Sequence, residues 1–383
     1  MSVTAARGFR AAGVAAGIKS GGGLDLALVV NDGPFDAAAG VFTSNRVQAA
    51  PVVWSRQVLA TGRLTAVVLN SGGANACTGP AGFADTHATA EAVAAALEVG
   101  AVEVAVCSTG LIGERLPMDA VLTGVPKAAA GLSAAGGDAA SRAIMTTDSV
   151  PKTAARERDG WTVGGMAKGA GMLAPGLATM LCVLTTDAVV PSSTVDGALR
   201  EATRRTLDRV DSDGCMSTND TVLLLASGAS GVAPDEATFA EAVHEVCADL
   251  AGQLLADAEG ATKDVTIDVV GAASEDDAVE VGRAVARSAL LKCALYGSDP
   301  NWGRVLAAVG TTSAEFEPDA IDVAINGVAV CRRGAAGEPR DLVDLAGRAV
   351  RIVVDLHAGA AAATVWTNDL SVGYVHENSA YSS

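Results

Sequence analysis

KGAGMLAPGLATML, residues 168–181, is the stretch on which the reading of this 383-residue chain turns. Gly169, Gly171 and the pair Pro175-Gly176 mark an irregular loop, because glycine supplies unusual backbone angles and proline fixes its own. Apolar runs stand on both sides, residues 162–166 before it and 180–185 (MLCVLT) after it, and each has the length and composition of a strand. A small residue, Ala178, precedes Thr179, which opens the second run. Local pattern alone does not separate Thr179 from any other β-branched strand residue. The block is therefore read first for fold: strand, glycine-proline loop, strand.

Outward from this block, short apolar runs alternate with helical segments. Residues 24–30 (LDLALVV) and 65–69 read as strands. Residues 84–99 read as an alanine-rich helix with Asp85 near its start and Gly100 as its stop. Val102, Val104 and Val106 alternate as a strand that runs into Cys107-Ser108-Thr109-Gly110. Downstream come a helix near 194–209, a buried strand at 222–226, a helix near 236–256 and an alternating strand at Val265, Ile267 and Val269. Asn326-Gly327 between two apolar runs predicts a hairpin over 322–331, and residues 352–356 and 363–366 form a second candidate strand pair. The pattern describes a layered α/β (α+β) chain with a boundary near 270–280. Residues 1–270 form the main layers and 271–383 a smaller α+β C-terminal domain.

The totals exclude several classes. A net charge of −17, with no basic stripe, argues against nucleic acid, whose phosphates demand clustered Lys and Arg. Seven scattered cysteines without a CxxC pair suit reduced thiols rather than a disulfide framework or a zinc site. There is no apolar run of membrane-spanning length, and the AAGVAAG stretch after Arg10 is too weak for a signal peptide, so a cytoplasmic location is expected. Half the residues are hydrophobic but aromatics are only 3%, so Ala, Val, Leu and Gly must do the packing.

Searches for familiar chemistry return little. No GxGxxG lies between a strand and a helix, and neither GxxxxGK[ST] nor GxSxG occurs. His87, His244, His357 and His376 lack metal-ligand spacing; His87 and His244 read as helix-surface or partly packed residues. Asp211-Ser212-Asp213-Gly214 resembles part of a calcium loop without the remaining ligands, and reads as a structural turn. What remains is a set of glycine- and polar-rich loops at strand ends: 70–76, 108–110, 168–171, 299–304 and the tail 378–383. Each alone is compatible with an ordinary turn.

Taken together, these segments resemble the ArgJ family, the ornithine acetyltransferases (glutamate N-acetyltransferases). The match runs in order through GVAAGIK (13–19), AAPVV (49–53), NSGGANACTG (70–79), STG (108–110), MTTD (145–148), KGAGMLAPGLATML, STNDT (217–221), EGATKD (259–264), DPNWGR (299–304) and the closing ENSAYSS. The only departures noted are Gly176, where a bulkier residue is common, and Cys215-Met216.

The resemblance implies a layered α-β-β-α sandwich of the self-processing DmpA/ArgJ-like type. It implies self-cleavage between Ala178 and Thr179 into an alpha chain (1–178) and a beta chain (179–383), associated as a heterotetramer. The freed Thr179 is then the nucleophile, and its new α-amine, with an ordinary pKa of about 7.7–8.0, serves as its base. Thr109 and Gly110 are implied as the oxyanion hole. Thr146 (with Thr147 as neighbour), Lys168, Thr179, Glu259, Asn378 and Ser383 are implied as substrate contacts, Lys168 facing a carboxylate and Glu259 an ammonium. The implied reaction moves acetyl from N2-acetyl-L-ornithine to L-glutamate, with acetyl-CoA a further donor for some members, and needs no metal or organic cofactor. Two other readings predict different outcomes. A self-processing aminopeptidase or amidase would release acetate whether or not glutamate is present, and a non-catalytic binding protein would remain one intact chain.

Overall fold

The two runs that flank the quoted block become neighbouring strands of one sheet. The structure, a computed structural model, describes residues 2–174 and 180–380. Trp161–Lys168 and Leu181–Thr186 pair antiparallel, from Val163 opposite Thr186 to Lys168 opposite Leu181. The five-stranded sheet runs in the order Ala37–Phe42, Thr221–Ala226, Leu181–Thr186, Trp161–Lys168, Lys152–Arg158. Leu181–Thr186 and Thr221–Ala226 are parallel, so they need a crossover, which includes the helix Ser192–Arg205.

A four-stranded sheet lies against this one, in the order Phe9–Val14, Leu26–Asn31, Ala66–Ser71, Val104–Thr109. Its last two strands are parallel, with the helix Gly79–Leu97 in the connection. Strand alternation explains the stacking. Leu181, Val183, Leu223 and Leu225 join the core shared with the four-stranded sheet. Their neighbours Cys182, Leu184, Val222 and Leu224 join a second core with the helices Ser192–Arg205 and Glu236–Ala256. Both faces of these strands are buried, which is why they read as continuous apolar runs rather than alternating ones. Helices Ala50–Val58, Met118–Ala130 and Gly137–Ala143 pack on the four-stranded sheet. The architecture is the α-β-β-α sandwich.

The third, six-stranded sheet is ordered Ala335–Ala336, Val328–Arg332, Asp322–Ile325, Ala349–Asp355, Asp264–Ala272, Ala361–Asn368. The hairpin at Asn326-Gly327 is present, and both turn residues have positive φ, 46° and 85°. The expected pairing of 352–356 with 363–366 does not occur. Asp264–Ala272 inserts between those strands, parallel to one and antiparallel to the other. The chain thus enters this sheet at residue 264, a few residues ahead of the 270–280 region, because Val265, Ile267 and Val269 pack in the C-terminal core.

Helix boundaries moved for local reasons. The helix expected from residue 84 starts at Gly79, with a proline in its first turn, and closes at Glu98 in the left-handed region (φ 58°). The helix expected over 194–209 breaks at Thr206 and finishes as a short 3₁₀ turn, Leu207–Arg209. Among the described residues, no helix is long and apolar enough to cross a membrane.

Candidate active site

Two of the glycine- and polar-rich loops, 70–76 and 108–110, interlock with the STNDT segment at the end of Val104–Thr109. Gly73 N–H donates to Thr109 O (3.0 Å) and Ala74 N–H to Leu111 O (3.0 Å). Ser108 Oγ donates to Asn70 Oδ1 (2.6 Å), and Asn70 Nδ2 donates to Gly73 O (3.1 Å). Asn219, from the STNDT segment, donates from Nδ2 to both Ala74 O (2.6 Å) and Ser108 O (2.8 Å). Gly110 has φ +130°, and a Cβ there would lie 2.5 Å from Gly73 N, so only glycine allows this close backbone approach.

Lys168 ends its strand in the other sheet, and its side chain is buried. Its Nζ donates to Thr109 Oγ1 at 3.1 Å, bridging the two sheets. Burial pushes the Lys168 pKa down, against the raising pull of Asp148, Asp220 and Glu259. Asp148 is the centre of a buried charge chain. Its Oδ1 accepts from Lys152 Nζ (2.7 Å) and Gly169 N–H (2.6 Å), and its Oδ2 from Thr146 N–H (2.9 Å). Lys152, fully buried, also donates to Asp257 Oδ2 (2.6 Å). Burial pushes the Asp148 carboxyl up, but Lys168, Lys152 and the hydrogen bonds outweigh it and hold it below its ordinary value.

The far side of the site is Glu259. Its N–H donates to Ala170 O (2.9 Å), and Asn378 Nδ2 donates to its Oε2 (3.0 Å). Gly171 makes room for this carboxylate, since a Cβ there would stand 2.5 Å from Oε2. Asn378 belongs to the helix Val372–Ala380, which is docked on the turn after Glu259. Gly260 (φ +61°) lies so close that a Cβ would come 2.1 Å from Tyr374 N. Asp369 accepts the N–H groups of Thr262 and Lys263, both at 2.9 Å, which ties down the approach to that helix. A cavity of about 260 Å³ opens beside Glu259, lined among others by Asp213, Lys292, Asn368 and Tyr374.

Met180, at the start of its strand, donates its N–H to Asp220 Oδ1 (3.0 Å). Burial pushes the Asp220 carboxyl well up, and among the described residues its Oδ2 has no hydrogen-bond partner.

Of the residues expected at the site, Thr109, Gly110, Thr146, Lys168, Glu259 and Asn378 converge around the 168–171 segment. Ala178, Thr179 and Ser383 lie outside the described residues, and of the pair Thr146-Thr147 it is Thr146 whose N–H reaches Asp148. Asp148, Lys152, Asp257, Asn219 and Asp220 were not singled out, although Asp148, Asn219 and Asp220 stand inside the MTTD and STNDT segments. The Asp211–Gly214 loop is a structural turn. Asp211 pairs with Arg287 (2.7 Å), and Lys292 donates to Ser212 O (2.6 Å). His87 and His244 sit on helices away from these groups, and His87 stacks edge-on against Trp54. No group of three His, Cys, Asp or Glu among the described residues is placed to hold a metal.

A hydroxyl and a backbone amide at a strand end, beside a buried ammonium, with a carboxylate across the gap, suit an acyl-transfer site for a zwitterionic amino acid. The comparisons agree with that class. The ArgJ family model matches residues 10–383, and the chain belongs to the ArgJ family. It is 70% identical over 383 residues, all of both chains, to the arginine biosynthesis bifunctional protein ArgJ of Streptomyces avermitilis. To the protein of the same name from Mycobacterium tuberculosis it is 63% identical over 389 aligned positions, covering all of this chain and 96% of that one. A solved Bacillus halodurans chain described as arginine biosynthesis bifunctional protein ArgJ is 36% identical with a TM-score of 0.50; the match covers 98% of that chain and 52% of this one.

Proposed function

We propose that this chain is a self-cleaving acetyltransferase of arginine biosynthesis, moving acetyl from N2-acetyl-L-ornithine to L-glutamate in the cytoplasm. The observation that carries the reading is the Lys168–Thr109 contact. It joins the KGAG and STG segments, from different sheets, at the end where the strand that follows Thr179 begins.

In the first stage Thr179 Oγ attacks the Ala178 carbonyl, the Ala178–Thr179 amide becomes an ester, and water hydrolyses it. The products are an alpha chain of 178 residues and a beta chain of 205 beginning with a free amine. That amine takes the Thr179 hydroxyl proton as Oγ attacks the acetyl carbonyl. Thr109 and Gly110 donate to the developing oxyanion, ornithine leaves with the proton, and acetyl-Thr179 remains. Glutamate then occupies the same pocket, its amine attacks, and Thr179 is regenerated. Lys168 faces the α-carboxylate common to both substrates, Glu259 the ammonium of ornithine, and Thr146, Asn378 and Ser383 complete the pocket. The coverage of the Bacillus halodurans chain supports a two-fragment protein, since nearly all of it matches only half of this chain. Two such pairs form a heterotetramer in this reading.

Intact-mass measurement tests it directly. Wild type gives the two fragments, and Thr179→Ala gives one chain without acetyl transfer. An intact, fully active wild-type chain overturns the proposal, as does acetate release at a rate indifferent to glutamate.

A further inference from the structure

An ammonium has hydrogens to donate and no lone pair to accept with. The 3.1 Å contact between Lys168 Nζ and Thr109 Oγ1 therefore makes the threonine oxygen an acceptor, and the hydroxyl hydrogen must point away from Lys168. The Lys168 ammonium lies in the field of the Asp148 carboxylate. The side chain is buried, and Asp148 lies beside it, accepting from the amide of the very next residue, Gly169. Asp148 is itself fixed by Lys152, which Asp257 anchors in turn. Charge state decides which way the threonine hydroxyl turns. Burial favours loss of the Lys168 proton and Asp148 opposes that loss. A neutral Lys168 amine would offer a lone pair and draw the Thr109 hydrogen toward itself.

We propose that Lys168 is a positioning residue for acyl transfer: donating to Thr109 Oγ1, it turns the Thr109 hydroxyl proton toward the acyl oxygen, and the Asp148–Lys152–Asp257 chain holds it in that posture. This rests on the acyl-transfer reading above and gives Lys168 a second task beside its contact with a substrate carboxylate.

A double-mutant cycle on kcat for acetyl transfer tests it, with rates normalised to cleaved chain by intact mass. Thr109→Val removes the hydroxyl and lowers kcat by about 10²–10³, the scale of a lost oxyanion donor. Lys168→Met alone lowers kcat nearly as far. In kcat the double variant is no slower than Thr109→Val alone, the lost carboxylate contact raising KM instead, whereas Thr109→Ser, which keeps the hydroxyl, retains the sensitivity of kcat to Lys168→Met. Effects that multiply overturn the proposal, as does wild-type kcat in Thr109→Val. Asp148→Asn supplies a second readout with both partners intact: removing the negative charge lowers the Lys168 pKa, so the alkaline limb of the kcat profile moves to lower pH. An unmoved limb counts against the proposal. Thr179→Ala separates the two readings. If it is inactive and the effects multiply, only the Lys168 role falls; if it transfers acetyl like wild type, both fall.

Discussion

Lys152 and Asp148 are joined through an Nζ–Oδ1 contact of 2.7 Å in which neither side chain reaches solvent. Such a pair is asymmetric in its energetics. Forming it gains little over apolar packing, but removing one member strands the other as a buried charge. Lys152→Met leaves Asp148 and Asp257 without their shared cation and costs roughly 3–5 kcal/mol. Urea denaturation measures this. Because the folded Asp148 carboxyl lies below its ordinary value, its contribution is fully present above the unfolded pKa of about 3.9 and is lost as pH falls through the folded value. Stability should fall in acid more steeply for wild type than for Asp148→Asn.

Asp220 has the opposite sign. Its folded carboxyl is pushed up by burial, so the folded state holds a proton that the unfolded state releases. Its favourable contribution is complete below the unfolded pKa of about 3.9 and is lost as pH rises through the folded value. Asp220→Asn keeps an acceptor for the Met180 N–H and removes this titration. Unfolding free energies compared from acid to alkaline pH should show a smaller loss for the variant on the alkaline side.

Gly110→Ala places a Cβ 2.5 Å from Gly73 N at a φ of +130° that L residues avoid. The backbone strain alone is of order 1–3 kcal/mol, and relief requires the 70–76 loop to withdraw. The expected result is a lower Tm together with a kcat reduced at least tenfold, read by calorimetry and by acetyl-transfer assay.

Gly260→Ala strikes the tail rather than the catalytic end. Its Cβ would meet Tyr374 N at 2.1 Å and Gly373 C at 2.3 Å, both backbone atoms, so the helix carrying Asn378 must lift. Self-cleavage should continue while KM for both amino-acid substrates rises about tenfold or more. Mass analysis of the fragments and steady-state kinetics check the two halves of this statement.

The sequence made the strands of the sandwich legible because they are continuous apolar runs, and Asn326-Gly327 announced its hairpin through turn chemistry. The pairing of Asp264–Ala272 between two later strands was hidden, since a register set by distant residues leaves no local trace. At the site, the motif order pointed to Thr109, Gly110, Lys168 and Glu259. The charge chain beneath them escaped notice for a physical reason: Lys152 is a lysine next to a proline at a strand start, a pattern indistinguishable from an exposed residue until tertiary packing buries it. The Val372–Ala380 helix escaped as well, because its docking depends on Gly260, more than a hundred positions upstream.

The order of strands in the five-stranded sheet has one more consequence. A cut after Ala178 leaves Leu181–Thr186 and Thr221–Ala226 on one fragment, flanked on both sides by Ala37–Phe42 and Trp161–Lys168 from the other. Neither fragment then owns the whole of this sheet, although each keeps one other sheet complete. Folding must precede the cut, and after it the reverse path changes kinetic order: recovery from denaturant is first order for uncut Thr179→Ala and second order, dependent on protein concentration, for the mature enzyme. Maturation would thus make assembly a matter of encounter between two molecules where it had been the rearrangement of one.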